Sequence, residues 1–167
     1  MDIDCENLDN SICCRVLNFM ADELNVKNDS ITEGEYADLK DFIVDLKRIN
    51  KCDFNLLVKI YAYIHGSFQG NKAVKDIYNN NFYTTRDEFF NTLIKHGVQR
   101  EIALDIVKNG VWSQGQKRKE YEKILLGYEL PQDVIDYFDK VNQLWTIGGC
   151  TSRVKMMYKM FENKIGR

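Results

Sequence analysis

Apolar residues recur every three or four positions along almost the whole of this chain, and a single proline, Pro131, interrupts its 167 residues. That spacing matches the 3.6-residue turn of an α-helix and conflicts with the two-residue alternation of a half-buried strand. Ile12, Val16, Phe19, Met20 and Leu24 form one stripe. Tyr36, Leu39, Phe42, Ile43, Leu46 and Ile49 form a second, and Phe54, Leu57, Val58, Tyr61 and Ile64 a third. Further stripes run through Val74–Tyr78, Phe89–Ile94, Ile102–Val107, Tyr121–Leu125, Val134–Leu144 and Val154–Phe161. No stretch alternates long enough to read as a strand. The expected fold is all-α, with about eight or nine helices.

Polar punctuation divides these stripes. Asn25–Glu33 reads as a connection, Asn50 or Asp53 as a break and new cap, and Gly66 as a stop. Ser67–Asn71 and Asn79-Asn80-Asn81 read as loops. Thr85-Arg86-Asp87-Glu88 has capping-box form, in which the threonine hydroxyl and the glutamate three residues on satisfy each other's orphan amides. Gly97, Gly110 and Gly127 should end helices. Pro131 suits a first helical turn, where a missing amide costs nothing. Gly148-Gly149 should interrupt the chain, with Thr151 or Ser152 capping the last helix.

A hydrophobic content of 44% supports one domain with a substantial core. Charged residues, 29% of the chain, mix both signs and leave a net charge of −2, which argues against a general nucleic-acid coat protein but allows a local basic face. The five cysteines are irregularly spaced, with no Cys-x-x-Cys pair and two histidines beside them, so reduced, buried thiols are expected rather than a metal site. No cofactor is implied. The acidic start of the chain does not resemble a signal peptide, and no segment has the apolar length of a membrane span. The expected location is cytoplasmic.

Two segments resemble a known family. Leu57-Val58-Lys59-Ile60, His65-Gly66 and Gly70-Asn71 match one stretch, and Leu93-Ile94, Gly97, Ala103 and Ile106 match the next. Together they resemble the helical fingers region of the PolC-type bacterial DNA polymerase III alpha subunit. Leu130-Pro131 to Ile135-Asp136 resembles a later helix start of that region. The resemblance implies a fingers-like helical domain over residues 34–167, preceded by a helical extension, residues 1–33, with no recognisable match. It also implies losses. The family's basic, glycine-spaced turn is replaced by Gly110-Val111-Trp112-Ser113-Gln114-Gly115, and a second substrate-facing loop by Trp145-Thr146-Ile147-Gly148-Gly149-Cys150. The matched positions are packing and turn residues; the cations that would hold a triphosphate are gone. Charge-assisted contacts contribute roughly 1.5–3 kcal/mol each, so losing several removes nucleotide gripping.

Catalysis is not expected. Nucleotidyl transfer needs paired carboxylates holding two metal ions, and Asp2-Ile3-Asp4 has no strand before it and no third carboxylate. His65 and His96 each precede a glycine and read as helix-end residues. The surviving candidates for nucleic-acid contact are Lys95, Arg100, Lys108, Lys117 and Arg118, with His96 in the same cluster around the Gly97 turn. An ordinary solvated face accounts for the same charges, and Glu120 and Glu122 can pair with the Lys117-Arg118-Lys119 run along a helix. Trp112 and Trp145 are the remaining candidates: exposed, they could stack bases or fill a partner's pocket; buried, they fill space left by lost lysines. The sequence thus points to a non-catalytic, replication-associated module that binds DNA or a replisome protein. The alternative is an interaction or regulatory module of phage or mobile-element origin without a DNA role.

Overall fold

The helical period is realised as eight α-helices in the computed structural model, which describes residues 8–27, 33–63, 83–141 and 143–166. They are α1 (Asn10–Lys27), α2 (Glu33–Ile49), α3 (Phe54–Ala62), α4 (Arg86–Lys95), α5 (Arg100–Asp105), α6 (Gly115–Leu126), α7 (Gln132–Lys140) and α8 (Ile147–Lys164). A π-helical segment, Ile106–Gly110, continues α5. Among the described residues the one β feature is an isolated parallel bridge between Thr85 and Trp145. No described helix is long and apolar enough to cross a membrane. The expected features at Asp2-Ile3-Asp4, His65-Gly66, Gly70-Asn71, Val74–Tyr78 and Asn79–Asn81 lie outside the described residues.

The stripes bury into two hydrophobic clusters. In the first, Cys13, Leu17 and Met20 of α1 meet Leu39, Ile43 and Leu46 of α2, Leu57 and Ile60 of α3, and Cys150 and Val154 of α8. Helix α1, expected as an extension ahead of the domain, is therefore part of this core. In the second, Phe89 and Leu93 of α4, Ala103 of α5, Ile106, Leu125 of α6 and Phe138 of α7 pack together. Phe89 is its hub, with the rings of Tyr83, Tyr137 and Phe138 at 5.6, 5.0 and 6.4 Å between centroids. Burying a side chain of this size contributes roughly 1.5–3 kcal/mol.

A polar seam joins the clusters. The Thr85-Arg86-Asp87-Glu88 capping box forms as the sequence requires. Glu88 Oε2 accepts from the Thr84 amide and hydroxyl at 2.8 and 2.9 Å and from the Thr85 amide at 3.1 Å. Its other oxygen, Oε1, lies 3.1 Å from Lys59 Nζ of α3. The Arg86 amide donates to the Trp145 carbonyl at 2.8 Å, and Asp87 Oδ2 accepts from the Ile147 amide at 2.7 Å. One cap thus organises the start of α4 and holds α3 and the start of α8 against it.

Asn50, at φ +52°, breaks the chain after α2, and Asp53 caps α3 by accepting from the Leu56 amide at 2.8 Å. The last helix departs from expectation. It opens at Ile147 with Thr146 as its cap, so Gly148-Gly149 lies inside the first turn, ahead of Thr151 and Ser152. The Thr146 hydroxyl accepts from the Gly149 amide at 3.1 Å. A β-carbon on Gly149 would stand 3.1 Å from that same oxygen, so glycine here permits the cap rather than breaking the helix.

Candidate nucleic-acid interface

The turn that replaces the basic loop is built by packing. Helix α5 does not stop at Asp105; it widens into the π-helical segment and ends on Gly110, whose α-carbon faces the ring of Tyr121 on α6. Val111 follows, buried, and the chain leaves the helix at Trp112-Ser113. Ser113 folds back onto the Gly110 carbonyl, its hydroxyl donating at 2.6 Å and its amide at 3.1 Å.

Arg118 fixes this turn from beneath. Its Nη1 donates to the carbonyls of Gly110 and Val111 at 3.2 and 2.8 Å, and its Nη2 to the carbonyl of Val141 at 2.9 Å. Its guanidinium lies 4.0 Å from the centre of the Phe138 ring. Burial draws this guanidinium below its ordinary pKa, against the opposing pull of Glu122 and Asp139. Arg118 therefore departs from its expected role as a nucleic-acid contact: its donors satisfy backbone carbonyls inside the fold.

Asp105 braces the other side. It accepts from Asn109 Nδ2 at 2.6 Å and from the Tyr121 hydroxyl at 2.8 Å. The hydrogen bond from Asn109, then that from Tyr121, and the charge of Lys117 hold its carboxyl below the usual range against desolvation. Burial and the Asp105 bond push the Tyr121 phenol up to about 12.

On this platform Lys108, Asn109, Trp112, Ser113 and Lys117 line an open groove of about 570 Å³. Trp112 is 48% exposed, and both lysines are exposed. Three of the sequence candidates are thus brought together: Lys108, Lys117 and Trp112. Lys95, in the last turn of α4, and Arg100, opening α5, are exposed but do not line the groove; the Arg100 guanidinium lies 5.5 Å from the Phe90 ring centre. His96 sits exposed at the end of α4. Trp145 packs against the first cluster, and its indole N–H is buried without a hydrogen-bond partner, so only Trp112 offers its ring. Asn109 and Ser113 were not among the candidates. The helix ends at Gly110 as the sequence suggested; what the local sequence did not show is that Ser113 folds back onto the Gly110 carbonyl, which keeps Trp112 and Ser113 beside Lys108 and Asn109.

The groove combines a flat π surface, two exposed cations and polar groups capable of both donating and accepting. That set suits a base or another planar ring with a phosphate on either side. Among the described residues no three His, Cys, Asp or Glu side chains are arranged to hold a metal ion. No protein-family model, curated protein or solved structure matches the chain.

Proposed function

We propose that this chain is a non-catalytic, replication-associated module that binds a short single-stranded segment of DNA at the Trp112 groove. The observation that carries this reading is the exposed Trp112 ring in a groove it shares with Lys108 and Lys117. A base stacks on the indole while the lysines meet the flanking phosphates. Every base has a π face, so binding tolerates sequence. Two phosphate contacts on a body of net charge −2 give weak binding, on the order of 10–100 µM at low salt. The resemblance to PolC-type fingers supports a place in the cytoplasmic replication machinery, on the template or on a replisome protein. Of its matched residues, Leu93, Ala103 and Ile106 are buried in the second cluster, while Ile94 is exposed.

The test is fluorescence anisotropy of a labelled oligothymidylate against the purified chain at increasing salt. Two lysine–phosphate contacts predict a slope of log affinity on log salt of about −1.4, so binding weakens about sevenfold between 50 and 200 mM salt. Lys117→Ala should reduce the slope by about 0.7. An absence of binding at low salt, with capture of a replisome protein through Trp112, would assign the groove to a protein partner instead.

A further inference from the structure

The Trp112 groove has a polar wall as well as a stacking ring, and the wall has a polarity. Asn109 and Ser113 line the groove with Trp112. Asn109 stands exposed near the end of the π-helical segment, and Ser113 is half-buried in the turn that follows. What each presents to a ligand is set by the bond it already makes.

The Asn109 amide group lies 2.6 Å from Asp105 Oδ1, and the Tyr121 hydroxyl donates to Asp105 Oδ2 at 2.8 Å. These two bonds hold the Asp105 carboxyl below its ordinary pKa, so it is ionised at neutral pH. An ionised carboxylate only accepts, so Asn109 must turn its Nδ2 toward it. Its Oδ1 is left for the groove, with one remaining N–H. Ser113 is committed in the same sense. A backbone carbonyl only accepts, so the Ser113 hydroxyl proton points at Gly110. At 2.6 Å it is the closest of three donors on that carbonyl; the Ser113 amide lies at 3.1 Å and Arg118 Nη1 at 3.2 Å. The lone pairs of Ser113 Oγ remain. Among the described residues neither oxygen takes a further partner. Two accepting oxygens thus stand against one donating N–H.

Base edges differ in this respect. Cytosine, adenine and guanine carry an exocyclic amine that donates. Thymine and uracil carry a carbonyl at the position of cytosine's amine, and their single imide N–H is flanked by carbonyl oxygens on both sides. Those oxygens would face the oxygens of the wall and leave acceptors without donors. We infer that, with the groove read as a single-strand site whose lysines hold the phosphates, the Asn109–Ser113 wall favours bases with an exocyclic amine over thymine and uracil. Stacking on Trp112 accepts every base, and the wall biases the choice. The preference is small, because the groove is open and each bond to the wall replaces one to water.

The test measures short oligodeoxycytidylate and oligodeoxyuridylate against the purified chain by fluorescence anisotropy. The two rings have the same size, neither carries a methyl group, and they differ at the edge. Oligodeoxycytidylate should bind about three- to tenfold more tightly. That ratio should persist as salt rises, because both oligomers make the same phosphate contacts. Asn109→Ala and Ser113→Ala should each draw the ratio toward one, and the double variant should abolish the preference. Three results would overturn the inference and leave the single-strand reading standing: equal binding of the two oligomers, tighter binding of oligodeoxyuridylate through lysine donation to its carbonyls, or a ratio unchanged in the double variant. Binding of neither oligomer at low salt would overturn both.

Discussion

The ring of Tyr121 occupies the space over Gly110 in which a side chain would stand: an added β-carbon would lie 3.1–3.3 Å from three of its ring atoms. The ring is held in turn by its hydroxyl, which donates to Asp105 at 2.8 Å. The end of α5 and the face of α6 are thereby kept at the separation that opens the Trp112 groove.

Gly110→Ala should destabilise the protein by up to about 2 kcal/mol. Overpacking a tight contact costs about 1–3 kcal/mol, partly offset by about 1 kcal/mol of improved helix propensity. Urea unfolding measures the loss. Tyr121→Leu in the same background should recover part of it, because the clash is with the ring.

Arg118 and Lys117 are adjacent in sequence and opposite in effect. Arg118→Met removes donors from three carbonyls and a stacking contact with Phe138, and should cost about 3 kcal/mol of stability. Lys117→Ala should change stability by less than about 0.5 kcal/mol while weakening oligonucleotide binding. Denaturation and anisotropy on the two variants check both halves.

Glu88 makes the seam pH-dependent. Burial pushes its carboxyl up, but the charge of Lys59 and the bonds from Thr84 pull it further down, so it ionises below its ordinary value. The folded pKa lies below the unfolded one, near 4.3. Its stabilisation is therefore complete above that value and fades as pH falls through the folded pKa. Glu88→Gln should cost about 1–2 kcal/mol at pH 7, and the gap between variant and wild type should narrow steadily below about pH 4. Denaturation series at pH 7, 5, 4 and 3 follow it.

Much of the helical body was legible because its signals are local. Thr85 and Glu88 announced their capping box, Asp53 its cap, and the stripe through Phe89 and Leu93 its buried face. What escaped depends on partners distant in sequence. Arg118 read as one charge in a basic run, yet its environment is set by the carbonyl of Val141, twenty-three residues on. Gly148-Gly149 is the exception, a local signal misread: Thr146, three residues before Gly149, accepts from its amide and caps the helix in place of Thr151 or Ser152. The groove was half legible: Lys108, Lys117 and Trp112 stood out as residue types, but the π-helical end of α5 at Gly110 that brings them together is held by Tyr121 packing from α6.

The central claim is that Trp112 is a base-stacking surface, and its own fluorescence tests it most directly. Trp145→Phe leaves Trp112 as the one tryptophan of the chain. Titration of this variant with oligothymidylate at low salt should quench its emission in step with binding, and Trp112→Ala in the native background should weaken affinity about 5- to 150-fold, the effect of about 1–3 kcal/mol for one stacked base. Binding that leaves Trp112 emission unchanged and is undiminished in Trp112→Ala would contradict the account.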